Sequence, residues 1–243
     1  MIKKNIAMLA AETSRSRFYL QSIAKKGLLP SKILILENRG KILAGQDLKN
    51  KTLEIKSFYI ENFVFKPNET LEETCKKYNI NFNFINETNV NLDNVIEKLK
   101  NLQEKIIIYS GYGGTILRSK ILNIGKYFLH IHGGYLPDYR GSTTNYYSAL
   151  KEKYIGASSI IMSEKIDTGP ILYRKKFKLP PDLSKIDHIY DSSVRSNVLI
   201  KTLQMINEAN LLEDLFLNQK VKVNDMNYFI IHPVLKHLSI LNN

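Results

Sequence analysis

Residues 128–134 read Phe-Leu-His-Ile-His-Gly-Gly. His130 and His132 stand two apart in a β-rich run, and the two-residue period of a strand sends both imidazoles to one face. An imidazole gains or loses a proton near neutral pH, so the pair is a candidate for general acid and base work. Gly133 and Gly134 let the backbone turn closely, a Leu136-Pro137 turn follows, and Arg140, Gly141, Ser142 and Thr143 lead into a helix start where an anion would be welcome. Asp167 lies downstream in the turn Ile-Asp-Thr-Gly-Pro at 166–170, between β-rich stretches at 158–162 and 171–177. A His-x-His with a distant aspartate has the make-up of a three-ligand zinc site, and spacing alone leaves that alternative open. His188, His232 and His237 are isolated and read as hydrogen-bonded structural residues.

The elements that must carry these residues alternate. Residues 6–10 form a short apolar strand, 18–23 an apolar-periodic helix with Ser14 as its N-cap, and 33–36 a second strand after Gly27 and Pro30. This is a βαβ unit, which implies a parallel sheet. Residues 37–66 have no period and read as a loop or insertion. A helix at 71–78, a strand at 81–85 and an amphipathic helix at 90–102 lead to the clearest strand, 105–110. It runs into Gly111-Tyr112-Gly113-Gly114, either a tight turn or the ligand crevice at a strand's carboxyl end. A helix at 116–124, a strand at 127–132, a helix at 146–150 capped by Ser142 or Thr143, and a helical region at 186–212 complete the pattern. The fold class is α/β, a mostly parallel sheet flanked by helices with a short C-terminal helical or strand tail. Residues 1–205 are expected to form the principal domain, and 206–243 a tail too short to stand alone.

Of the 243 residues, 44% are hydrophobic, enough for one sizeable core. Cys75 is the lone cysteine, which excludes an internal disulfide and a cysteine-rich zinc site. No apolar run has membrane-spanning length and the first residues lack a secretory pattern, so the expectation is a cytoplasmic protein without a membrane partner. The formal net charge of +12 favours anionic ligands, but the lysines are scattered and no motif of a nucleic-acid reader is present.

The run at 130–141, His-Ile-His-Gly-Gly-Tyr-Leu-Pro-Asp-Tyr-Arg-Gly, followed by the turn at 166–170, resembles the signature of the folate-dependent formyltransferase family. In that signature Asn-x-His precedes Leu-Pro, Arg-Gly or Lys-Gly, and Asp-x-Gly. The family includes methionyl-tRNA, glycinamide ribonucleotide and nucleotide-sugar N-formyltransferases, and the likeness covers residues 105–177. It implies a Rossmann-like formyltransferase fold and 10-formyltetrahydrofolate as formyl donor. His132 corresponds to the catalytic histidine, Asp167 to the catalytic aspartate, and His130 stands where the family has asparagine. Tyr112, Gly113, Gly114, Ser163, Ile166 and Asp167 are the implied donor-binding residues, with no metal. In acyl transfer Asp167 would hold His132 and assist proton removal, while His132 and position 130 would donate to the oxyanion. Asparagine donates at any pH, but His130 only from a protonated ring nitrogen.

The acceptor is expected to be a small-molecule amine, foremost an amino sugar linked to a nucleotide. Ser14, Arg15 and Arg17 at a helix start, with Tyr135 and Arg140, are its candidate ligands. Tyr112, Tyr139, Tyr146 and Tyr147 either add aromatic faces or belong to the core. Aminoacyl-tRNA is disfavoured because only a helix and tail follow the catalytic region, and glycinamide ribonucleotide because residues 8–14 contain no glycine. The alternatives are a formyltetrahydrofolate hydrolase and a non-catalytic basic binding module. The apolar residues 229–235 are expected to cover the core or a second subunit of a homo-oligomer.

Overall fold

The structure, a computed structural model, describes residues 5–37, 54–217 and 227–241. The chain divides into two compact units, residues 1–56 with 62–130 and residues 57–61 with 131–243.

The first unit alternates strands and helices: β1 (Ile6–Ala11), α1 (Ser14–Lys25), β2 (Lys32–Leu36), β3 (Ile55–Lys56), β4 (Val64–Phe65), α2 (Leu71–Lys77), β5 (Asn81–Ile85), α3 (Asp93–Lys100), β6 (Ile106–Ser110), α4 (Ser119–Leu122) and the start of β7 (Tyr127–His132). β1 pairs in parallel with both β2 and β6, β2 with β5, and β6 with β7. β1 and β6 are buried along their whole length, as a parallel strand covered on both faces must be. Each of their fully buried isoleucines and leucines contributes about 1.5–3 kcal/mol.

The expected α/β class and mostly parallel sheet are present, and the strand at 81–85 has the expected bounds. Three local readings change. The N-cap of α1 is Thr13, not Ser14: Thr13 is extended and its hydroxyl accepts the Ser16 N–H at 3.2 Å, so the helix begins at Ser14, one residue earlier than a Ser14 cap would place it. Within the stretch read as a loop, β3 and β4 pair antiparallel, each too short to show a period. Residues 38–53 of that stretch lie outside the described residues. The helices at 90–102 and 116–124 shorten to α3 and α4.

The second unit contains the last two residues of β7, then β8 (Arg140–Gly141), α5 (Thr144–Glu152), β9 (Tyr154–Ile161), β10 (Ile171–Lys178), α6 (Asp191–Glu208), β11 (Asn227–Tyr228) and α7 (Pro233–Leu241). β9 and β10 form an antiparallel hairpin, and β8 pairs in parallel with β11. A single π-helical turn, Ile186–Tyr190, leads into α6. Of the tail, Ile231 is buried while Phe229 and Ile230 are 82% and 78% exposed, so the apolar run at 229–235 covers the core only in part. Residues 218–226 and the His188 side chain lie outside the described set. Among the described residues, no helix is long and apolar enough to cross a membrane.

Candidate active site

His132 ends β7 with its ring buried. Its Nε2 lies 2.8 Å from the Tyr139 carbonyl oxygen, and its Nδ1 lies 3.3 Å from Asp167 Oδ2. The carbonyl and the carboxylate both only accept, so a neutral ring can donate to one of them at a time, and a protonated ring donates to both. The expected donation from His132 to an oxyanion is not the arrangement found, because both ring nitrogens are turned onto protein acceptors, the Tyr139 carbonyl and the Asp167 carboxylate. Burial lowers the pKa of the ring, opposed in order of size by Asp167, while Arg195 also lowers it and the Tyr139 carbonyl and Asp191 raise it. Burial dominates, so the resting ring is neutral.

Asp167 reaches His132 from the loop between β9 and β10. Its φ of 53° is left-handed, a conformation that a non-glycine residue adopts when its surroundings fix it. Two contacts do so: the Gly141 N–H donates to Asp167 Oδ2 at 3.1 Å, and Gly169 brings the loop so close to the Ile161 carbonyl that a Cβ there would overlap it. Ser163 and Thr168 turn their hydroxyls onto the Lys165 carbonyl at 3.2 and 3.0 Å. Ile166 projects from this loop 53% exposed, beside Asp167, whose side chain is largely buried. The loop therefore presents an apolar side chain and a carboxylate together.

The backbone that holds His132 is gripped by residues that no sequence motif marks. Arg195 donates to the Ile131 carbonyl at 2.7 Å and pairs with Asp191 at 2.6 Å, and Asn145 donates to Asp191 at 3.1 Å. Thr144 donates to the Gly133 carbonyl. A Cβ on Gly133 would overlap the Arg195 guanidinium and fall 2.5 Å from Asp191 Oδ1, so any side chain there would have to push this ion pair aside. A Cβ on Gly134 would lie 2.5 Å from Thr144 Oγ1, 2.6 Å from the Tyr139 carbonyl and 2.7 Å from His132 Nε2. The Asp191 and Arg195 spacing of four is visible in the sequence, but such a pair usually marks an exposed helix face.

Tyr135 is half-buried beneath two cations, Arg174 at 4.6 Å and Lys176 at 4.9 Å from its ring centre. Arg140 is partly buried, its Nε without a hydrogen-bond partner among the described residues. Tyr139 and Tyr146 are core residues, 2% and 1% exposed.

The remaining expected ligands belong to the first unit. Arg15 donates to the Gly111 carbonyl at 2.6 Å. Arg17 pairs with Glu12 at 2.5 Å and donates to the Pro67 carbonyl at 2.8 Å, so it ties α1 to the loop before α2. Ser14 Oγ is buried. Tyr112 donates to the Leu36 carbonyl at 3.2 Å, and burial raises its phenol pKa. Gly113 and Gly114 have open space where a Cβ would stand. His130 packs its ring against Tyr109, 6.4 Å between centres. Among the described residues, no three His, Cys, Asp or Glu side chains gather as a metal site.

The family model described as Formyl transferase matches residues 19–198, most of the chain. The chain belongs to the formyl transferase family. Its relatives within the family include the methionyl-tRNA formyltransferase of Thermodesulfovibrio yellowstonii, 38% identical over 89 residues, which are 36% of this chain and 29% of that protein. The corresponding enzyme of the Wolbachia of Drosophila simulans is 34% identical over 113 residues, 45% of this chain and 38% of the relative. These matches thus span less than two fifths of either relative. Among solved structures, a sugar N-formyltransferase from a Shewanella species superposes with a TM-score of 0.59 at 15% identity, covering 98% of this chain and 87% of that one. The N-formyltransferase of Helicobacter canadensis, solved with folinic acid and dTDP-3-aminofucose, gives 0.55 at 16% identity, over 94% of this chain and 71% of that one. Phosphoribosylglycinamide formyltransferase from Anaplasma phagocytophilum gives 0.59 at 13% identity, over 93% and 98%. At these identities the structural likeness is one of fold.

Proposed function

We propose that this chain transfers a formyl group from 10-formyltetrahydrofolate to the primary amine of a small acceptor, foremost an amino sugar carried on a nucleotide. The observation that carries the reading is the buried pair of His132 Nδ1 and Asp167 Oδ2, 3.3 Å apart, in a chain of the formyl transferase family. The donor supplies an activated one-carbon acyl group. The chain's own residues handle protons. His132, neutral at rest, takes the amine's proton at its unprotonated nitrogen as the amine bonds to the formyl carbon, and the Asp167 carboxylate stabilises the imidazolium that results. The proton passes to the folate nitrogen as its bond to that carbon breaks. His130 supplies a hydrogen-bond donor in place of the family's asparagine. His130→Asn should therefore keep substantial activity, and a folded, folate-binding but inactive His130→Asn protein would remove that role.

The loop with Ser163, Ile166 and Asp167, and separately the strand end with Tyr112, Gly113 and Gly114, are proposed to bind the donor. Ser14, Arg15, Tyr135 and Arg140 are the proposed acceptor ligands. Arg17 is the weakest of that set, because Glu12 already satisfies it. Support for a nucleotide-linked amino sugar comes from relatives of this fold solved with such compounds or named as sugar N-formyltransferases. The names of the sequence relatives favour a second reading, in which the acceptor is methionyl-tRNA. One mass-spectrometric screen separates them: amino-sugar nucleotides, glycinamide ribonucleotide and methionyl-tRNA are each offered with the folate donor. A formyl group gained by a sugar nucleotide supports the first reading. Formylation of methionyl-tRNA alone supports the second, and formate release without an acceptor would replace both with hydrolysis.

A further inference from the structure

We propose that Tyr228 is a positioning residue for His132 and Asp167, acting through the backbone of residues 139–142; this rests on reading that pair as catalytic. Tyr228 lies 61 residues beyond Asp167, in a tail with no chemical motif of its own. In the structure β11 lies along β8, with Asn227 opposite Arg140 and Tyr228 opposite Gly141. The Ser142 N–H donates to the Tyr228 carbonyl at 2.8 Å. The approach is so close that a Cβ on Gly141 would overlap that carbonyl oxygen, and Gly141 adopts a φ of +106°, which favours glycine.

The gripped segment touches both members of the pair. The Gly141 N–H holds Asp167 at 3.1 Å, and the Tyr139 carbonyl holds His132 Nε2 at 2.8 Å. Tyr228 fixes this segment from its side chain too. Its ring stacks on Tyr139 at 5.3 Å with 20° between planes, packs on Tyr147 at 4.6 Å, and receives Lys151, whose ammonium lies 3.2 Å from the hydroxyl. A second anchor follows: the Ile231 N–H donates to Thr143 Oγ1 at 2.8 Å. Thr143 sits at φ 51°, left-handed for a β-branched residue, so its neighbours hold it there. β11 is therefore a strap across the loop that sets the hydrogen bonds of both catalytic side chains. Loosening the strap displaces those two side chains and removes no group that binds substrate.

The test compares Tyr228→Ala with Tyr228→Phe. Alanine removes the ring that seats the strap, while phenylalanine keeps the stack and loses only the hydroxyl facing Lys151. In the Ala protein kcat for formyl transfer should fall about 10–100-fold, because small misplacements cost that much, and Phe should restore it. A readout independent of turnover is the proton–nitrogen correlation spectrum of the imidazoles, with the His132 signal assigned by its loss in His132→Gln. The charged groups facing this ring are Asp167, Arg195 and Asp191. Weakening of the Tyr139 and Asp167 interactions, both of which favour the protonated ring, should move the His132 midpoint down in Tyr228→Ala but not in Tyr228→Phe. If Tyr228→Ala does not fold, Thr143→Ala against Thr143→Ser repeats the test at the second anchor. A folded Ala variant with wild-type kcat and a wild-type His132 signal would overturn the proposal. A wild-type protein that formylates nothing would sink the functional reading, and the imidazole spectra would still decide the strap.

Discussion

Two strands of this protein end in glycines, and the glycines are there for opposite reasons. At the end of β7, Gly133 and Gly134 are crowded: Arg195 and Asp191 press on one, Thr144, His132 and the Tyr139 carbonyl on the other. Beyond the end of β6, past a Gly111 that the Tyr109 ring crowds, Gly113 and Gly114 face open space, and of these two only Gly114, at φ +77°, is demanded by its backbone. The same letters thus mark a packed site that fixes a histidine and an open edge that a ligand could approach. Crowding around a glycine predicts catalytic precision, and emptiness predicts binding surface.

The largest effect is expected from the crowded end. Gly134→Ala pushes a methyl against the Tyr139 carbonyl and His132 at once, and should lower kcat by about 100-fold and stability by about 1–3 kcal/mol. Activity and urea unfolding measured on the same preparation check it. Next is Arg195→Met. It removes the cation from Asp191 and the donor from the Ile131 carbonyl, and should cost about 2 kcal/mol, less than a fully buried pair because both side chains keep some exposure. A protein as stable as wild type would mean that Arg195 does not hold the end of β7.

A smaller effect concerns pH. Burial holds His132 below its ordinary value of 6.5, so the unfolded chain binds its proton first as pH falls. Stability should therefore decline as pH drops from 6.5 toward the lowered folded value, and level off below it. Unfolding midpoints across this window should decline less steeply in His132→Gln. The smallest effect belongs to the open end: Gly113→Ala meets nothing within 4 Å, so stability should change by less than about 0.5 kcal/mol. A large loss there would erase the contrast between the two strand ends.

Much of this is legible in the sequence for identifiable reasons. The continuous apolar runs of β1, β2 and β6 specify buried parallel strands, and the paired motifs at 130–141 and 166–170 specify His132 and Asp167. What stays hidden depends on backbone groups and long-range packing. No residue type announces that the Tyr139 carbonyl faces His132 Nε2, or that Tyr228 lies beside Gly141. Asp191 and Arg195 have the spacing of a surface pair, and Arg17 has the make-up of an anion ligand until Glu12 is seen beside it. Ser14 resembles a cap because the hydroxyl one residue earlier can serve equally well.

The central claim is that His132 and Asp167 act as one proton-handling unit in formyl transfer. The most direct measurement is kcat for the acceptor found in the screen, determined for wild type, His132→Gln, Asp167→Asn and the double variant. Removal of a general base costs about a hundred- to ten-thousand-fold, and for residues acting as a unit the double variant should lose no more than the worse single one. Wild-type rates in either single variant, or losses that multiply in the double, would contradict the account.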